Sequence, residues 1–113
     1  MIARLWETGI RPGMESAYDS FAYTYSRPMF AALPGCLGAF FLGTGATRSV
    51  LSLWIDQASI DALKDSELYK DTVARFLATG ALLEPQTTKV LEVTGGTVNA
   101  ATLTTELSDA SAA

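Results

Sequence analysis

The sequence predicts an α+β fold in a single domain, ordered β-α-β-β-α-β, the ferredoxin-like arrangement of an antiparallel sheet with both helices on one face. Three observations predict it. Apolar positions alternate in some segments and recur every three or four residues in others, and the two patterns succeed one another in that order. Turn residues stand at the changes, in "RPG" (Arg11 to Gly13), "LPG" (Leu33 to Gly35) and Gly80. A length of 113 residues suits one domain.

"IARLWETGI", Ile2 to Ile10, is the first strand, and Pro12 and Gly13 then turn the chain. From Met14 the apolar stripe runs through Tyr18, Phe21, Ala22, Tyr25, Met29 and Leu33, which predicts one helix. Pro28 removes a backbone donor inside it and predicts a break near Ser26 and Arg27. "CLGAFFLGTG" and "RSVLSLWI" form the second and third strands, joined by a tight hairpin at "TGAT". Asp56 is placed to cap the next helical segment, Gln57 to Gly80, and Ser66 to cap a second piece within it. Gly80 suits the C-terminal end. Pro85 introduces "QTTKVLEV", the fourth strand. The domain is therefore expected over residues 1–95. The small polar residues of 96–113 predict a tail that is flexible or adds an exchanged strand through "TVNAATLT".

Hydrophobic residues make up 49% of the chain and charged residues 18%, more apolar surface than one small core consumes. The excess has a location. In strands two and three, Leu37, Ala39 and Phe41 alternate with Phe40 and Leu42, and Leu51, Leu53 and Ile55 alternate with Val50, Ser52 and Trp54, so neither sheet face is polar. Two helices cover one face only, and a second copy packed on the other predicts a homodimer through the open sheet face.

The net charge is −4 and the eight Lys and Arg are scattered, which argues against nucleic acid. No apolar run approaches the roughly 20 residues of a membrane span, and Arg4 and Glu7 interrupt any signal-peptide pattern, so no membrane association and a cytoplasmic location are expected. The absence of histidine excludes Ser-His-Asp and Cys-His nucleophile systems and His-ligated metals, and no metal or cofactor is expected. Cys36 is the only cysteine and reads as a small buried apolar residue.

"RPG" after the first strand, "LPGCLG" after the first helix, "LSLWID" ending the third strand and "SELYKD" in the second helix together resemble the antibiotic biosynthesis monooxygenase family of the dimeric α+β barrel superfamily. The likeness covers about Met1 to Gly95. It implies cofactor-free oxidation of an aromatic or quinone-like, polyketide-type substrate. The haem-degrading branch is disfavoured by the resemblance itself, because "LWET", Leu63 and Val73 stand where its Asn, Trp and His are expected. The polyketide-oxidising branch implies an Asn and a Trp on strand three; Trp54 matches the Trp, and Val50 departs from the Asn.

A cofactor-free oxygenase holds an electron-rich anion beside O2 in a dry cavity with donors at the developing oxyanion. Trp54, Tyr69, Tyr18, Tyr25, Phe21, Phe41, Ser52 and Trp6 are the residues expected to line such a cavity between helices and sheet, although each aromatic also suits a plain core. Trp54 leads this group as a ligand contact, with Tyr69 supplying a hydroxyl. Arg4 and Arg27 read either as holders of a carboxylate or enolate or as solvated cations. No catalytic residue is singled out, and a non-catalytic dimeric protein with an apolar ligand pocket is the alternative.

Overall fold

A computed structural model describes residues 1–112. Strand β1 spans Ile2–Ile10, β2 Cys36–Thr44, β3 Thr47–Trp54 and β4 Leu82–Glu92. They form one antiparallel sheet in the order β2-β3-β1-β4, the topology the element order predicts. The β2–β3 hairpin turns through Gly45 and Ala46, and Gly45 has φ +55° while no other residue type is left-handed, the pattern of a type II′ turn.

The first helical stretch has three parts: α1 (Glu15–Phe21), a π-turn (Ala22–Ser26) and α2 (Arg27–Ala32). The predicted break is this π-turn, closed by the Arg27 N–H donating to the Ala22 carbonyl, with Pro28 in the first turn of α2, where its missing N–H costs least. The wider turn advances the helix by less angle per residue. Ser26 therefore points inward, whereas Tyr25, which an unbroken α-helical stripe would bury, is 48% exposed.

After β3 come α3 (Gln57–Asp61), a single 3-10 turn and α4 (Glu67–Ala78). The Asp56 carboxylate accepts from the Ser59 N–H at 2.9 Å and the Ser66 hydroxyl from the Tyr69 N–H at 3.2 Å, so both expected caps form. Gly80 has φ +76° just past the end of α4, a conformation any Cβ would strain.

Two regions differ from expectation. β4 starts at Leu82, ahead of Pro85, because the β1–β4 register shifts between Glu7 and Gly9 and gives Pro85 a bulge on an edge strand, where no ladder donor is needed. The tail forms helix α5 (Ala100–Ala112) instead of a strand from Thr97 to Thr104. Its alanines and leucines favour helix, and the hydroxyls of Thr104, Thr105 and Ser108 donate to carbonyls one turn back.

The core lies between helices and sheet in two clusters. One gathers Ile10, Tyr18, Phe21, Ala22, Phe76 and Ala81; the other gathers Met29, Phe30, Leu33, Val50, Trp54 and Leu63. Phe76 joins the helices, stacking on Phe21 at 4.2 Å and meeting Tyr18 at 4.9 Å between ring centroids. On the opposite sheet face the register sets Leu5 beside Leu51, and Leu51 beside Phe40, with no helix over them. No helix of the described residues is long and apolar enough to cross a membrane.

Candidate active site

Strand alternation points Arg4 and Trp6 of β1 and Val50 of β3 toward the helices, and α4 answers with Tyr69, Thr72, Val73, Phe76 and Leu77 at helical spacing. Between them lies a cavity of about 140 Å³, closed by Ser26, Met29 and Phe30 on one side and by Leu82 and Gln86 on the other. Its wall is mainly apolar, and one polar pair stands out in it. An Arg4 Nη donates to the Tyr69 hydroxyl at 3.1 Å, and the guanidinium lies 5.9 Å from the ring centroid. Because that hydroxyl accepts from Arg4, its own proton is free to be donated to a ligand. The Ser66 cap fixes the first turn of α4 and with it the position of Tyr69.

Of the residues expected to line a cavity, Tyr69 and Trp6 do so. Trp54 does not: it is fully buried in the core, and its indole N–H donates to the Ser52 Oγ at 2.9 Å. Ser52, also fully buried, donates weakly to the Arg4 carbonyl at 3.4 Å, so this pair supports the strand that carries Arg4 from beneath. Phe21 and Tyr18 belong to the core around Phe76. Tyr25 packs on Phe21 at 4.8 Å, away from the cavity wall. Phe41 lines a different space, a wide groove of about 1050 Å³ between the outer side of the first helical stretch, β2 and α5. In that groove Arg27 is engaged with Tyr23, donating to its carbonyl at 3.3 Å and lying 4.5 Å from its ring centroid.

Arg4 was one of two arginines read as possible anion holders; that Ser26, Thr72, Phe76 and Gln86 line the same cavity was not legible. Tyr69, Thr72, Val73 and Phe76 do share one helical stripe, which is the signal available for α4. Gln86 depends on the β4 bulge and Ser26 on the π-turn, and neither irregularity has a simple sequence signature.

Two further groups are chemically quiet. Burial, and secondarily the neighbouring Asp19 carboxylate, push the Tyr18 hydroxyl well above its ordinary value, so it stays protonated. Burial likewise raises the Cys36 thiol, against a weaker opposing effect of a backbone hydrogen bond with Gly38, which agrees with an unreactive cysteine. Among the described residues no group of three or more His, Cys, Asp or Glu is arranged to hold a metal.

No family model matches the sequence, and no curated protein matches it. Solved structures do. The cofactor-independent oxygenase SnoaB from Streptomyces nogalater superposes with a TM-score of 0.69 at 9% identity, over 84% of this chain and 94% of that one. A candidate antibiotic biosynthesis monooxygenase from Nitrosomonas europaea gives 0.71 at 12% identity, over 84% and 100%. The chain has the antibiotic biosynthesis monooxygenase fold. A Nitrosomonas europaea protein of unknown function shares it too, with a TM-score of 0.71 at 22% identity over 86% of this chain and 92% of that one. In this shared fold the cavity described above occupies the space between sheet and helices.

Proposed function

We propose that this protein is a cytoplasmic, cofactor-independent monooxygenase that oxidises an aromatic or quinone-like substrate as a homodimer. The observation that carries the reading is the Arg4–Tyr69 donor pair set in an aromatic-walled cavity. Donors fixed where negative charge accumulates, with water kept out, are what an electron-rich ring needs to react with O2 unaided. In the reaction proposed, a phenol and O2 give a quinone and water. One oxygen atom becomes the new carbonyl, the other leaves as water with the two displaced hydrogens, and the substrate supplies all the electrons. Trp6, Phe30 and Phe76 pack the ring, while Arg4 and Tyr69 hold its oxygen.

The homodimer would form through the open sheet face. Leu42 and Leu91 are exposed there, beside the partly exposed Leu5, Phe40, Leu51 and Leu53, a contiguous apolar patch of a kind that isolated monomers rarely carry.

Oxygen consumption with a panel of hydroquinones, ordinary and acidic phenols, and anthrones tests the activity. The expected result is uptake of one O2 per substrate with no added flavin or metal. Val50, a hydrophobic residue in the cavity wall, favours a second reading, a binding protein without chemistry. Ligand-induced stabilisation with no oxygen uptake across the panel would establish that alternative.

A further inference from the structure

We propose that the cavity selects an aromatic ligand of one six-membered ring that arrives already ionised, its anionic oxygen seated on Arg4. This deepens the aromatic-substrate reading and rests on it.

Size sets the first half. A cavity of about 150 Å³ is known to hold benzene, and the space here is about 140 Å³, so it encloses one ring and leaves any further ring at the mouth. Charge sets the second half. The described residues contain three ion pairs, Arg48–Asp19, Lys70–Glu67 and Arg75–Asp71, and Arg4 is in none of them. By register the carboxylate nearest to Arg4 on the same face is that of Glu92, diagonal to it on β4, and it too forms no ion pair with Arg4. Among the described residues the one side-chain partner of Arg4 is a phenol hydroxyl and not a carboxylate, so the guanidinium charge is left unpaired against a largely apolar wall. Such a cation favours an anion strongly.

The wall also lacks a base. No carboxylate, lysine, histidine or cysteine lines the cavity. A phenol with an ordinary high pKa would have nothing inside the site to take its proton. The ligands that fit are therefore acidic phenols, enolised ring ketones or ring carboxylic acids. These share one chemistry, a delocalised oxyanion on a single ring.

4-Nitrophenol tests this directly, because it titrates near neutral pH and only its anion is yellow. Titrated in the presence of saturating protein, its apparent pKa is expected to fall by at least one unit, meaning that the anion binds at least tenfold more tightly than the neutral form. In the Arg4→Met variant the shift should vanish or reverse. Tyr69→Phe, which keeps the cation and the ring, should retain part of it and guards against a failure of Arg4→Met to fold. Benzoate against its neutral isostere benzamide separates carboxylate from phenolate recognition: a preference of tenfold or more for benzoate extends the site to ring acids, and nitrophenolate alone restricts it to phenolates, each keeping the anion rule. No binding, an unchanged pKa or a raised one overturns the proposal. None of these measurements needs turnover, so an absence of oxygen uptake leaves them standing, and a cavity that prefers neutral rings leaves the oxygenase reading to its own assay.

Discussion

Replacing Trp54 with Phe separates support from contact. Trp54 is fully buried and its N–H satisfies the equally buried Ser52 Oγ at 2.9 Å. Phenylalanine keeps one ring and removes about 40 Å³, which at ~24 cal/mol per Å³ of residual cavity costs about 1 kcal/mol. It also deletes a buried hydrogen bond and leaves the Ser52 oxygen without its donor, a further loss of about 1–2 kcal/mol. The sum, about 2–3 kcal/mol, corresponds to a fall in Tm of roughly 10 °C or more for a domain of this size. Thermal unfolding followed by circular dichroism at fixed protein concentration reads it, since dimerisation would otherwise move the midpoint. Because Trp54 is outside the cavity wall, affinity for 4-nitrophenolate should change less than twofold. A variant that melts like the wild type yet binds ten times more weakly would refute the assignment of Trp54 to the core and return it to the ligand.

Three other outcomes follow from the same structure. Leu53→Asp puts a charge in the open-face apolar patch and should give monomeric, aggregated or unfolded protein by sedimentation; a soluble dimer with native melting would count against that interface. The Ser59 hydroxyl, and after it the Ser59 N–H, hold the Asp56 carboxylate below its ordinary value, so its contribution to stability is present above about pH 4 and fades as pH falls below that. Accordingly Asp56→Ala should lower the Tm more at pH 7 than in acid, whereas an equal effect at both would show that the cap does not act through its charge. Truncation after Gly96 removes α5, none of whose residues belongs to either core cluster, and should lower the Tm by no more than about 5 °C while leaving nitrophenolate binding intact; loss of the folded state would show that α5 is structural.

The sheet and its two helical connections were legible because they carry local signals, whereas α5, built from small residues without an apolar stripe toward the core, was not. Pro12-Gly13 and Pro34-Gly35 mark strand–helix changes, Asp56 and Ser66 sit where caps belong, and the paired parities of β2 and β3 point to a sheet with two apolar faces. The cavity was only half legible. Its walls meet through tertiary packing, and two of its polar members reach it because the backbone departs from ideal periodicity. An α-helical count places Tyr25 inside and Ser26 outside, and the π-turn exchanges them. Pro85 reads as a strand boundary, yet the edge bulge accommodates it and brings Gln86 to the cavity. Trp54 was misplaced for a different reason. Strand parity gives the face on which a residue lies but not its depth, and at the end of β3 the indole is fully buried in the cluster it shares with Met29, Leu33 and Leu63.

The π-turn also bears on how this chain should be aligned with others of its fold. A π-turn amounts to one residue inserted into an α-helix. A chain that shares the fold with a continuous helix here would be one residue shorter, and its gap belongs within Ala22–Ser26. Placed elsewhere, the gap would pair inward columns with outward ones, Tyr25 standing opposite cavity residues that it does not replace. The same holds for engineering: deleting one residue within Ala22–Ser26 would restore a plain α-helix and leave Met29 and Phe30 facing the sheet, whereas deleting one from α1 would turn the residues on its two sides out of register by about 100°.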